Sequence, residues 1–245
     1  MSQETAELLR SIRGVGERYE RISVGPGVTG LCVPTLPAEV RRNFVDEETL
    51  WKPWGEVLKP GSRSTVTQIK FGGVSYVLKQ YKCMVLRRRL RYAVTRTRSM
   101  QSWEQGQLMS ELGLRVVRPL AILIERRFGI PARSKLLMES VRGESIMKVM
   151  AQEGGFSRLE GALPHLQEYF VKMAAGHLIH GDLTGSNVLL DENNRPSFID
   201  LDGSRYIRSA SAYRRARVGE RRSFMKNWKT RPEVDELFQS VVELV

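Results

Sequence analysis

Two short stretches constrain this chain of 245 residues more than anything else in it: I-H-G-D-L-T-G-S-N-V-L-L over 179–190, and F-I-D-L-D-G beginning at Phe198, eleven residues after Asn187. His180, Asp182 and Asn187 stand at the intervals of a phosphoryl-transfer loop, and Asp200 follows Asp182 by eighteen residues. Chemistry explains the spacing. Moving a γ-phosphoryl group requires one carboxylate to orient the attacking hydroxyl, while a carboxamide oxygen and a second carboxylate hold Mg²⁺ against the nucleotide phosphates. The loop must therefore fold back on itself, and V-L-L with P-S-F-I-D predicts a hairpin beneath it, turned by D-E-N-N-R-P.

The charge balance narrows the partners. Thirty-nine Lys and Arg against twenty-seven Asp and Glu give a net charge of +12, which points to an anionic partner or surface without choosing among nucleic acid, phosphorylated glycan and acidic lipid. Cys32 and Cys83 form no CxxC pair, so neither a zinc site nor a disulfide framework is expected, and a reducing cytoplasm fits. The polar, mixed-charge start M-S-Q-E-T-A-E-L-L-R predicts no signal peptide, and no stretch has the apolar length of a membrane span. Glycine and proline clusters at Gly25–Gly30, Pro34–Pro37 and Pro53–Gly61 read as irregular connections around short helices.

From Val57 the pattern becomes stranded. V-L-K, T-V-T-Q-I-K-F and V-S-Y-V-L-K-Q-Y predict three strands, the last two joined at Gly72-Gly73. Lys79 near the end of the third is the expected phosphate-binding ammonium. Gly61, with Ser62 and Ser64, is the candidate phosphate cradle, whereas the G-x-G-x-x-G at Gly25–Gly30 is rejected because no helix can open into L-C-V-P-T-L-P. Leu86, Leu90 and Val94 lie at helical spacing, and a second helix is expected from about Ser99 to Gly113. That helix carries Glu104, the candidate partner of Lys79, with Glu111 as a competitor. K-L-L-M-E-S-V-R predicts a strand entering a hinge where Glu139 and Val141 offer backbone groups to adenine. Gln167 through Leu178 reads as a helix, and two basic-to-amphipathic helices follow Asp200. About forty-five residues remain there, too few for a full protein-kinase carboxyl lobe. The expected class is α+β: a two-lobed protein kinase-like fold with an N-terminal extension (1–56), a small β-rich N-lobe (57–141) and a reduced helical C-lobe (142–245).

With these motifs the chain resembles the bacterial lipopolysaccharide core kinases, the heptose and Kdo kinases, from about Leu58 to Phe238. The likeness rests on R-T-R-S-M-Q-S-W-E, on E-L-G-L-R-V-V-R-P-L-A-I-L-I-E-R-R-F-G, on F-I-D-L-D and on the closing R-S-F-M-K-N-W. It implies an ATP- and Mg²⁺-dependent sugar kinase working on the core glycolipid at the cytoplasmic face of the inner membrane of a Gram-negative bacterium, in peripheral contact with anionic lipid. Asp182 would be the catalytic base, Asn187 and Asp200 would hold Mg²⁺, and Lys79 would bind phosphate with Glu104 positioning it. Residues 57–103 contain eleven Lys or Arg and no Asp or Glu, so Arg87, Arg88 and Arg91 are candidate contacts to the anionic acceptor.

Some positions depart from protein-kinase usage. Gly181 replaces the arginine after the loop histidine, Thr184 replaces a substrate-side lysine, Leu201 replaces the phenylalanine after the metal aspartate, and Asp202 could compete with Asp200. No A-P-E follows, so no phosphorylated activation loop is expected. The rivals are the small kinase-like ATPase of the KEOPS tRNA-modification complex, an aminoglycoside phosphotransferase, and a non-catalytic basic nucleic-acid-binding or scaffold protein. The R-P-L-A and E-R-R-F-G block disfavours the first, and the net charge disfavours a cationic substrate. No nucleic-acid-binding motif is present, so no nucleic-acid partner is expected.

Overall fold

A computed structural model describes residues 2–14, 18–52, 54–82, 92, 95–228 and 232–242. The chain forms two compact units, each assembled from separate segments: one from Ser11–Glu104 and Arg118–Ser140, the other from Met1–Arg10, Gln105–Val117 and Val141–Val245. The class is α+β, with the β-rich part early and the helices late. Helix α1 (Ser2–Arg13) runs across the first boundary. Among the described residues no helix is long and apolar enough to cross a membrane.

The first unit is built on a seven-stranded antiparallel sheet. Its strands are β1 (Glu20–Ser23), β2 (Val28–Cys32), β3 (Glu56–Lys59), β4 (Ser64–Phe71), β5 (Val74–Lys82), β6 (Pro119–Arg127) and β7 (Ile130–Glu139), in spatial order β1-β2-β6-β7-β5-β4-β3. Helix α2 (Ala38–Val45) lies between β2 and β3 in sequence and buries Val40 and Phe44. The β4–β5 hairpin closes where the alternating pattern predicts, between Phe71 and Val74, and Gly72 and Gly73 take φ of 52° and 79°. A two-residue turn matching the strand twist needs left-handed backbone at both central positions, which glycine supplies without steric cost.

The reading of Gly25–Gly30 as an irregular connection is overturned. That segment is the β1–β2 turn and the first half of β2, which pairs with β6 from Val28↔Glu125 to Cys32↔Ala121. A Cβ on Gly30 would meet the Ile122 carbonyl oxygen at 1.8 Å, so the glycine there permits a close backbone approach. Four- and five-residue strands of mixed polarity carry little local signal, and their partner lies about ninety residues downstream.

Lys135, on β7, is buried in the same unit with its Nζ 4.5 Å from the Phe44 ring and 5.8 Å from Trp51. Burial pulls its ammonium down to about 7, against the opposing pull of Asp46. Aromatic faces only partly replace lost hydration for a buried cation.

The second unit holds α4 (Ile146–Val149), α5 (Gly155–Ala175), α6 (Ala210–Met225) and α7 (Pro232–Val242), with the short strands β8 (Glu144–Ser145), β9 (Leu178–Ile179), β10 (Val188–Leu190), β11 (Pro196–Phe198) and β12 (Arg205–Tyr206). Helix α5 starts well before Gln167 and stops before Leu178, which belongs to β9. Pro164 inside it masks a regular stripe of Leu159, Ala162, Leu166, Tyr169, Phe170 and Met173, all buried. Packing of that stripe outweighs the one backbone hydrogen bond that proline removes. Phe170, Phe198, Phe224, Trp228 and Phe238 interlock with ring centroids 5.0–6.3 Å apart. Phe224 and Trp228 of R-S-F-M-K-N-W are therefore core residues.

Candidate active site

The catalytic-loop stretch is framed by two small ladders. β9 delivers the chain into His180 and pairs with β12 through Ile179↔Arg205, while β10 and β11 form the expected hairpin with Val188 opposite Phe198. Asp191 closes the turn of that hairpin by accepting from the backbone N–H groups of Asn193 (3.0 Å) and Arg195 (2.8 Å), and it pairs with Arg115 at 2.8 Å. These interactions hold its carboxyl below the usual carboxylate range in spite of partial burial.

The hairpin brings the loop residues together. Asn187 Nδ2 donates to the Asp182 carbonyl at 2.8 Å and to Asp182 Oδ2 at 3.2 Å. The Ile199 N–H donates to the Asn187 carbonyl at 3.0 Å, which carries Asp200 to the residue beside this pair. Asp200 has left-handed backbone, φ 61° and ψ 59°. Such a conformation costs about 1–3 kcal/mol outside glycine, and it recurs where a side chain must be aimed. Asp202 sits in the short 3₁₀ turn that follows.

His180 is a buried anchor. Its Nε2 lies 3.0 Å from the Ile199 carbonyl and its ring meets Phe198 edge-on at 5.8 Å, while burial lowers its pKa and keeps the imidazole neutral. Its carbonyl accepts from Ser204 Oγ at 2.9 Å. Gly181 has φ 80°, and a Cβ there would meet the Gly203 carbonyl oxygen at 2.2 Å. The glycine in H-G-D and the glycine in D-L-D-G are thus the contact at which the two loops touch, and an arginine after His180 has no room. Gly185 is equally constrained: a Cβ would strike the Trp228 ring at 2.7 Å.

Glu220, which motif reading does not single out, holds this loop from α6. Its Oε1 accepts from the Gly181 N–H at 2.7 Å, and the residue is almost wholly buried. It is the single acid in a helix with five arginines and shares the buried face with Tyr213 and Phe224, a pattern that could have flagged it. Burial pushes its carboxyl up to about 7, although the Gly181 and His180 amides and Arg205 pull the other way.

The sign of the pH effect follows. An unfolded glutamate titrates near 4.3, so between about pH 4.3 and 7 the folded state keeps a proton that the unfolded state loses. The stability this group contributes is complete at the acid end and disappears as pH rises through 7. Glu220→Gln, which keeps an acceptor oxygen, should flatten the fall in Tm across that window and melt above the wild type at pH 8. Glu220→Ala strands the Gly181 N–H and should lower kcat by about ten- to a hundredfold through loop misplacement. Unchanged pH dependence in the Gln variant, measured by thermal denaturation from pH 4.5 to 8, would contradict this assignment.

The remaining site residues lie in or near the sheet unit. Lys79 is buried in β5 between Val66 of β4 and Leu136 of β7, with Nζ 5.2 Å from the Tyr81 ring. Glu104 sits on α3 (Arg98–Glu111), whose end is marked by Gly113 at φ 72°, close to expectation. Its carboxylate is buried and accepts from Arg13 Nε at 3.0 Å and Arg96 Nε at 2.5 Å. The competing Glu111 is exposed. Arg13 is not evident from the sequence, since it lies ninety-one residues away.

Gly61 and Ser62 lie between β3 and β4, Ser64 opens β4, and a Cβ on Gly61 would approach the Ser64 carbonyl oxygen to 2.5 Å. Glu139 ends β7 with its N–H donated to the Arg118 carbonyl at 3.0 Å, and Val141 opens the second unit's last segment. The candidate acceptor contacts Arg87, Arg88 and Arg91 fall outside the described residues, as do Leu86, Leu90 and Val94.

Against known proteins, the lipopolysaccharide kinase (Kdo/WaaP) family model matches residues 53–237. A sequence comparison with curated proteins finds no match. A solved structure described as WaaP in complex with acyl carrier protein is similar at 15% identity over 81% of this chain and 92% of that one, with a TM-score of 0.49.

Proposed function

Because the chain belongs to the lipopolysaccharide kinase (Kdo/WaaP) family, it is a phosphotransferase acting on a sugar hydroxyl of the lipopolysaccharide core, and we propose that ATP is its donor, Mg²⁺ its metal and a heptose or Kdo of the inner core its acceptor. The observation that carries this reading is the Asn187–Asp182 pair with Asp200 brought beside it through the Ile199 N–H. Asn187 spends its amide hydrogens on Asp182, which leaves its carbonyl oxygen as a hard ligand. Among the described residues no three His, Cys, Asp or Glu side chains cluster as a metal site. Asn187 and Asp200 suit an ion that completes its shell with phosphate oxygens and water, which is how Mg²⁺ is held in nucleotide sites.

In this mechanism Asp182 accepts a hydrogen bond from the acceptor hydroxyl and takes its proton as the oxygen attacks the γ-phosphorus and the bond from that phosphorus to the β,γ-bridging oxygen breaks, releasing ADP. Lys79 holds the α- and β-phosphates, with Glu104 positioning it and Gly61, Ser62 and Ser64 covering the phosphates. The Glu139 carbonyl and the Val141 backbone face adenine. Bound Mg²⁺ supplies charge neutralisation on the phosphate oxygens. His180 stays neutral and buried, and orients the loop.

Work at the cytoplasmic face of the inner membrane is supported by the charge of +12 and by the β6–β7 tip. There Phe128, fully exposed with φ 51°, stands between the exposed Arg126 and Arg127 and Gly129. Cations and an aromatic ring on one turn suit an anionic lipid surface.

The test is direct. Purified protein with ATP and core glycolipid should yield a glycolipid heavier by one phosphate, and chelation of Mg²⁺ should stop the reaction. ATP hydrolysis without a phosphorylated glycolipid would overturn the reading.

A further inference from the structure

The sheet unit contains a cleft that the catalytic reading leaves unused. Arg63, Lys82, Arg98 and Arg133 line it, together with Tyr81 and the half-buried Tyr92, and among the described residues no carboxylate is in the lining. Backbone pairing forces these cations together. Lys82 is the cross-strand neighbour of Arg133, and the Lys82 N–H donates to the Arg63 carbonyl at 3.0 Å, so adjoining segments deliver three charges to one end of the sheet. The fourth, Arg98, opens the fourteen-residue helix α3, where the helix dipole adds positive potential.

Like charges opposite one another on a sheet destabilise it, and several other arginines of this unit are paired with carboxylates. Arg41 pairs with Glu20, Arg13 and Arg96 with Glu104, and Arg127 with Glu125. Arg133 also has Glu125 and the Trp51 ring. By contrast, Arg63, Lys82 and Arg98 have no carboxylate partner among the described residues. A concave set of uncompensated cations focuses potential on whatever anion enters it.

We propose that this cleft is an oxyanion subsite that receives a phosphate or carboxylate group of the acceptor glycolipid; the acceptor assignment rests on the function proposed above. Arginine forks match the planar or tetrahedral oxygens of either group, and Tyr92 offers a ring edge to an adjoining sugar. Tyr81 links the subsite to the phosphate-binding lysine, since its ring lines the cleft and also carries Lys79 Nζ at 5.2 Å. The acceptor's anionic group is thereby bound next to the segment that handles nucleotide phosphate, without sharing its ligand.

The variant to make is the double replacement Lys82→Gln and Arg98→Gln, both exposed and outside the catalytic set. Arg21→Gln with Lys70→Gln, two exposed cations elsewhere on the sheet, serves as the charge-matched control. In a first arm, inorganic phosphate is titrated at constant ionic strength with a non-hydrolysable ATP analogue and Mg²⁺ saturating the nucleotide site. Phosphate should raise the Tm of the wild type and the control and leave that of the cleft variant unmoved. Equal stabilisation of all three, or of none, overturns the subsite.

In a second arm, initial rates are measured against core glycolipid and against ATP. The cleft variant should show an acceptor KM raised about fivefold, with kcat and the ATP KM unchanged and with the control like the wild type. An equal rise in the ATP KM would mean that the cleft serves the nucleotide, and an unchanged acceptor KM would mean that it serves neither; both overturn the acceptor assignment. Should the wild type fail to phosphorylate any core glycolipid, the functional reading fails along with that assignment, and the first arm alone decides whether the oxyanion subsite exists.

Discussion

Asp182→Ala is expected to lower kcat by about 10³-fold while leaving Mg²⁺-dependent nucleotide binding near its wild-type level, and Asp200→Ala is expected to lose both. The split follows from the two assigned roles. Asp182 is exposed and bonded through its Oδ2 to Asn187, and as the proposed base it is not one of the proposed metal ligands, so removing it should leave those in place. Asp200, the proposed metal ligand, has left-handed backbone and follows directly on the β10–β11 hairpin. Neither carboxylate is a core group, so both variants should fold, with far-UV circular dichroism and Tm close to wild type. Asp202→Ala is the internal control and should retain most activity. If Asp202→Ala abolishes nucleotide binding while Asp200→Ala keeps it, the metal ligand is the other aspartate of D-L-D-G.

Lys79→Ala should lower kcat/KM by about 10²- to 10³-fold, the loss typical of removing one preorganised donor from a developing phosphate charge. Lys79→Arg should not rescue it, because a planar fork replaces a compact ammonium in a buried strand position between Val66 and Leu136. Glu104→Gln should cost about tenfold, since the carboxylate acts through a neighbour. Arg13 and Arg96 both donate to that carboxylate, and neutralising it leaves two guanidinium groups around an amide. Loss of stability is therefore expected along with loss of rate, and the KM for ATP should rise with it. Glu111→Gln, at an exposed position, should be within about twofold of wild type. A silent Glu104→Gln beside a crippling Glu111→Gln would show that the helix register of the pair is wrong.

These expectations draw on two kinds of information. The spacing of His180, Asp182, Asn187 and Asp200 is local, and each interval is short enough for one strand-turn-strand to enforce it. The hairpin at Gly72-Gly73 and the stop at Gly113 are likewise legible, because a left-handed backbone position selects glycine whatever packs around it. The family blocks belong here too, although their reason is not visible in the string. R-S-F-M-K-N-W reads as a motif and turns out to be Phe224 and Trp228 inside an aromatic core, with Trp228 lying against Gly185.

Sequence alone determined the spacing of His180, Asp182, Asn187 and Asp200, the main hairpins and the α+β class, since backbone φ preference, side-chain alternation and short-range spacing act within a few residues. Only the tertiary structure decided what surrounds them. It drew β1 and β2 into the sheet against β6, set Arg13 and Arg96 on Glu104, placed Glu220 under Gly181, and gathered Arg63, Lys82, Arg98 and Arg133 around one cleft. Apart from Arg96 with Glu104, eight residues apart, these join residues distant in sequence. Burial is what makes a glutamate titrate near 7, and strand pairing is what sets Arg63, Lys82 and Arg133 side by side; both are properties of the folded packing rather than of any segment.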